Sequence, residues 1–177
     1  MFKKLDKQNV MIIAILCAVI LVGFAILVII TATNKDENIF KYELKANDTY
    51  EVIDIKDTYR NGWFARKNIV IPAEHRGKKV TSIKKVTVSA KCSIVVSEGI
   101  AAIDDNAFSA CSNLVDLSLP ESLRSIGNGA FHHCTQLTTI RYAGTTQQWG
   151  TIGLSCLSDS NVTSVICSDG TINIETD

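Results

Sequence analysis

Neither sign of charge dominates this sequence. In 177 residues, 18 Lys and Arg stand against 18 Asp and Glu, so the basic excess of a nucleic-acid-binding chain is missing and no nucleic-acid partner is expected. Catalytic signatures are missing as well. There is no G-x-x-x-x-G-K-[ST], H-E-x-x-H or G-x-S-x-G, and no enzyme activity is expected. No two cysteines have the C-x-x-C spacing of zinc or thiol-redox chemistry. His132 and His133 are adjacent but have no third ligand in the sequence, so they read as surface residues. The Asp104-Asp105 pair, with Asn106 and the related Asn128, reads as turn chemistry. No metal and no cofactor are expected.

Charge is wholly absent from Val10 to Ala32, "VMIIAILCAVILVGFAILVIITA". A helix of that length reaches about 34 Å, enough to cross a bilayer core. A cleaved secretory signal is the alternative, but its apolar region is normally about 7 to 15 residues and ends in a small-x-small site. This run is longer and its exit offers only weak small pairs, so a retained anchor is expected. Lys3, Lys4 and Lys7 precede the span and "NKDEN" of mixed sign follows it, which keeps the N-terminus inside and sends the rest out. The organisation expected is a cytoplasmic tail over 1–9, a transmembrane helix over 10–32, a linker over 33–39 and an extracellular domain over 40–174.

Within that domain the charges are uneven. Basic residues crowd the stretch from Arg66 to Lys91, and beyond Cys92 only Arg124 and Arg141 remain. Lys78, Lys79, Lys84 and Lys85 form the candidate basic patch. β-rich runs surround Asn47-Asp48, Pro72 ends a strand and Gly77 marks a turn.

From residue 95 the chain repeats itself. "VVSEGIAAIDDNAFSACSNLVDL" (95–117) aligns with "SLPESLRSIGNGAFHHCTQLTTI" (118–140), pairing Ile103 with Ile126, Phe108 with Phe131, Cys111 with Cys134 and Leu114 with Leu137. A period in the low twenties is the signature of a solenoid, with one strand and a short turn of helix per coil. Stacked coils place equivalent side chains about 4.8 Å apart, so these eight residues are the expected repeat core.

"LPESLRSIGNGAFHHCTQLTTI" resembles a repeat of the BspA-like leucine-rich repeat proteins. "IVIPAEHRGKKVTSI" is similar to the longer opening repeat of such arrays, and "IRYAGTTQQWGTI" with "VTSVICSDGTI" to their closing segment. The resemblance covers about residues 40 to 174. It implies a short leucine-rich-repeat-like, β-rich (α/β) coil stack, here preceded by a single transmembrane helix. It divides the domain into an N-terminal cap with an irregular first coil (40–93), two regular repeats (94–140) and a C-terminal cap (141–174). "KKVTVSAKCSIVV" departs from the pattern, lacking Ala-Phe and holding Cys92 only loosely at the cysteine position. The family implies surface-anchored binding proteins, often tied to adhesion, with no single ligand and no catalytic residues.

Period-two alternation in the long strands points Leu117, Leu119, Ile140 and Tyr142 inward. Ser93, Val95, Asp116, Ser118, Thr139 and Arg141 are left on the outer face as the candidate ligand surface. Five cysteines lie outside the membrane run, an odd number, and buried thiols are favoured over a bridge because parallel ladder vectors aim poorly for one. Trp63 and Trp149 are expected to pack at the coil ends. The functional expectation is a membrane-anchored extracellular binding or adhesion module for a protein or cell-surface ligand. The alternative is an accessory envelope protein that packs against a partner membrane protein through the basic region.

Overall fold

The computed structural model describes residues 39–56, 68–152, 155–157 and 159–174. The chain divides into two units, Met1–Lys35 and Asp36–Asp177, and every described residue belongs to the second. The expected tail, the span over 10–32, most of the linker, and Trp63 lie outside the described residues. Among the described residues no helix is long and apolar enough to cross a membrane.

The described residues form twelve strands: β1 Phe40–Leu44, β2 Tyr50–Ile55, β3 Asn68–Ile71, β4 Glu74–His75, β5 Lys78–Ile83, β6 Cys92–Val96, β7 Ala102–Ile103, β8 Leu114–Leu119, β9 Ser125–Ile126, β10 Thr139–Tyr142, β11 Ser164–Ile166 and β12 Thr171–Asn173. They form two sheets, one ordered β1-β2-β5-β7-β9 with β4 beside β5, the other β12-β11-β10-β8-β6-β3. In the second sheet β3, β6, β8, β10 and β11 all run parallel, and only β12 turns back antiparallel. The chain therefore winds as a solenoid, and segments assigned to the two caps contribute strands to the same ladder as the regular repeats.

Each regular coil differs from the expected strand plus helical turn. It holds two strands, because the dipeptides Ala102-Ile103 and Ser125-Ile126 pair in parallel in the first sheet. The A-F-x-x-C segment is not an α-helical turn. The amides of Ala107, Ser109 and Cys111 bond to carbonyls three residues back, as do those of Ala130, His132 and Cys134. Positive φ at Ala110 (61°) and at the equivalent His133 (58°) then stops the turn, since right-handed helix cannot continue through left-handed backbone.

The core is a set of columns along the solenoid axis. Register places Ile69, Ile94, Leu117, Ile140 and Val165 in one row, all buried. Ile103, Phe108, Cys111, Leu114, Ile126, Phe131, Cys134 and Leu137 are buried too. The rings of Phe108 and Phe131 stack with centroids 5.9 Å apart and planes 21° apart.

The irregular first coil joins these columns with different residues. The Val86 amide donates to Ala107 O as the Phe108 amide donates to Ala130 O, so Val86 fills the phenylalanine slot. Cys92 pairs with Leu114 ahead of a register shift between Cys92 and Ser93. It stands in the leucine column, not in the cysteine column where the sequence pattern loosely placed it.

Candidate binding face

The outer face of the second sheet is made by the alternate residues of its strands. Asn68, Ser93 and Asp116 share one row, continued on the later strands by Thr139, Ser164 and Asn173. Val70, Val95, Ser118, Arg141, Ile166 and Thr171 share the next. The six residues singled out from the sequence, Ser93, Val95, Asp116, Ser118, Thr139 and Arg141, thus lie in two adjacent rows on one surface, while Leu117, Leu119, Ile140 and Tyr142 beneath them are buried.

Polar side chains on this face tie coil to coil. The Arg141 guanidinium donates to Asp116 Oδ1 at 2.7 Å, and the Ser93 hydroxyl donates to Asp116 Oδ2 at 3.4 Å. Thr139 and Ser164 share a hydroxyl hydrogen bond of 3.2 Å. One cation and one anion cancel, and with both roughly half exposed the pair contributes little to stability. What it does is fix two long side chains in place. Beside them Val70, Val95 and Ile166 are 37%, 44% and 41% exposed, unusual for β-branched aliphatics held on rigid strands. Val70 and Ile166 were not among the residues picked from the sequence, although the alternation in "NIVI" and "SVI" carries the signal.

The basic patch does not form one surface. Lys78 and Lys79 open β5, whereas Lys84 and Lys85 follow its far end, about 20 Å away along an extended strand. Lys78 is ion-paired with Asp48, whose hydrogen bond holds the ammonium pKa above its ordinary value. Lys84 lies 3.7 Å from Glu43. Only Lys79 and Lys85 of the four stay outside an ion pair among the described residues. A further polar group escaped sequence reasoning, because its members are up to 37 residues apart: Ser82 donates to the buried Glu51 at 2.8 Å, and Lys45 reaches Glu51 at 3.3 Å and Ser82 at 3.1 Å.

The five described cysteines are all buried. Cys111 donates its thiol to Val86 O and Cys134 donates to Phe108 O, each at 3.1 Å. Burial pushes Cys92, Cys111 and Cys156 up to about 11 and Cys134 to about 12, so these thiols stay protonated and unreactive at neutral pH. Trp149 is fully buried in α1, Thr146–Ile152. Its ring meets Tyr142 edge-on at 5.4 Å. Thr145 caps that helix reciprocally with Gln148 at 3.2 and 2.6 Å. His133 is exposed and His132 half-buried, with His132 Nδ1 3.7 Å from Asp159. No three side chains among the described residues are grouped to hold a metal ion.

The repeat profile of the BspA type leucine-rich repeat region matches residues 64–177 in six copies. The chain belongs to the BspA type leucine-rich repeat family. Two solved structures are similar to this BspA type repeat protein. The T. pallidum leucine-rich repeat protein shares 18% identity at a TM-score of 0.48, covering 74% of this chain and 63% of that one. A leucine-rich cell surface protein from Faecalibacterium prausnitzii shares 23% identity at a TM-score of 0.34, covering 63% of this chain and 40% of that one. The BspA type chain thus spans less than two thirds of either protein. No curated protein matches it.

Proposed function

We propose that this chain is a non-catalytic, membrane-anchored binding module that holds its leucine-rich repeats outside the cell and takes a protein or cell-surface ligand, as in adhesion, on the outer face of the second sheet. One observation carries the reading: exposed Val70, Val95 and Ile166 stand in register with a charge-balanced Asp116–Arg141 network on five parallel strands. Rigid strands present these groups at little entropic cost on binding. The face has no aromatic side chain in either row, which favours a polypeptide over a sugar that would need stacking.

The rival reading, an accessory envelope protein packed on a partner membrane protein through Lys78, Lys79, Lys84 and Lys85, has less support because two of the four are already neutralised. Two variant sets of the full chain separate the readings. Val95→Asp with Ser118→Asp should cut ligand capture from host or envelope extracts tenfold or so, the scale of losing one or two central contacts. Lys79→Glu with Lys85→Glu should leave capture within about twofold while slowing association. Melting temperatures of both sets should stay close to the parent. Loss confined to the lysine set sinks the strand-face reading.

A further inference from the structure

Where β6 begins, the outer face of the second sheet is broken by a bulge. Cys92 pairs with Leu114 and Ser93 with Asp116, which leaves Val115 of β8 without a partner on β6. A bulge opens the ladder locally and bends the strand that carries it. Here the surface holds a notch of about 250 Å³ at the start of β3, β6 and β8, lined by Asn68, Lys91, Cys92, Ser93 and Val115. Small-molecule sites run from about 300 to 1,000 Å³, so this one has room for a side chain and little more. Buried Cys92 and half-buried Val115 give it an apolar floor. The segment that carries Lys91 is fixed, because the Asn113 side-chain amide donates to Ser89 O at 2.6 Å and the Cys92 amide donates to Asn113 O at 3.2 Å. Lys91 itself is exposed and forms no ion pair among the described residues. Asp116, the one acid in the two rows of the face, is taken by Arg141 and Ser93.

We propose that this notch selects the ligand of the strand face: it takes an aspartate or glutamate side chain of an extended polypeptide, whose neighbouring side chains run along β3 and β6 and set an aliphatic residue against Val70 and Val95. This rests on the strand-face reading above. Asp116 and Arg141 cancel, so Lys91 gives this end of the face a net positive charge and calls for a carboxylate. A lysine is a compact point charge that meets one carboxylate without the fork geometry of arginine, and the apolar floor receives the methylene stem of the acid. Burial alternates from Lys91 through Ser93 to exposed Val95, so these three residues share the outer side. An extended ligand alternates with the same period, and its side chains two apart meet rows two apart on the face. Four residues separate Lys91 from Val95, about 13 Å along a strand. An acid and an aliphatic residue four positions apart in the ligand span that distance, whereas a small acidic molecule in the notch would leave Val70 and Val95 unused.

The full chain in detergent micelles, applied to bead-bound short amidated peptides randomised at every position, tests this. The captured pool should carry Asp or Glu at one position about threefold to fivefold above the unselected pool, the upper range for an exposed ion pair, with Val, Ile or Leu enriched four residues away. Lys91→Glu should exchange that acid for Lys or Arg, while Lys91→Arg should keep it. Lys91 is exposed, so both variants should melt with the parent. Captured peptides that show no acid preference, or one that Lys91→Glu leaves unchanged, overturn the notch; the strand face still stands if Val95→Asp abolishes their capture. Capture that survives Lys91→Glu and Val95→Asp alike overturns the strand face as well. No capture of any peptide overturns the extended polypeptide as ligand, and equal capture by bead-bound polyuronate overturns it in favour of an acidic sugar. Capture that requires a free C-terminal carboxylate overturns the side-chain assignment.

Discussion

Phe131 and Cys134 show how single residues carry this fold. Phe131 is fully buried against Phe108, and Phe131→Ala removes most of a large ring from a site whose walls are set by the coils on either side. The cost should be about 3 to 5 kcal/mol, a large part of the stability of a small domain. Thermal melting should detect it as a large fall in Tm, and a variant that melts like the parent would contradict the column. The thiols give a pH signature. Burial raises Cys134 to about 12 and Cys111 to about 11 from an ordinary value near 9. Between those limits the unfolded chain releases the proton while the folded chain keeps it, so the thiol contribution is complete below pH 9 and fades as pH climbs toward 12. Denaturant midpoints measured from pH 8 to 11 should therefore decline from about pH 9, and native protein should resist alkylation that the unfolded chain undergoes. Conversion of Cys134 to Ser should flatten that decline.

At the scale of the element, the turn between β9 and the phenylalanine is built around a glycine. A methyl group built on Gly127 collides with the backbone nitrogen and carboxylate of Asp105, whose Oδ1 accepts the Asn128 amide at 2.7 Å. Gly127→Ala should cost about 1 to 3 kcal/mol, as overpacking does, and Asp105→Ala in the same chain should not recover it, because the Asp104 and Asp105 backbone stays in the way and the Asn128 amide loses its acceptor. The two melting temperatures decide this. Elements also divide what the sequence disclosed from what it hid. The A-F-x-x-C-x-x-L spacing located the interior columns because identical contacts recur once per coil. The two-residue strands β7 and β9 were illegible because a period of two cannot be seen in two residues. Cys92 misled because a bulge shifts the register beside it, so a cysteine that counts as a poor repeat match is in fact a good occupant of the leucine slot. The alternation in "LVDLSL" gave the outer-face positions directly, whereas the pairing of Lys78 and Lys84 with acids 30 and 41 positions away could come only from the folded chain.

For the whole molecule, the proposed anchor sets the first expectation. Protease added to intact cells should remove the repeat domain and leave a membrane-embedded stub ending near Thr31. Domain released into the medium without residues 1–33 would instead identify the apolar run as a cleaved signal.

The reversal of β12 bears on assembly. Every other step of the second sheet presents a parallel strand whose open edge suits another parallel strand, and an array that ended on β11 would offer its edge to the first coil of a second copy, head to tail, without limit. Folded back antiparallel on β11 through Ser164–Asn173, Val165–Ile172 and Ile166–Thr171, β12 gives the stack a terminus of the wrong polarity for continuation. Three residues of hairpin keep this repeat stack from continuing into a fibre.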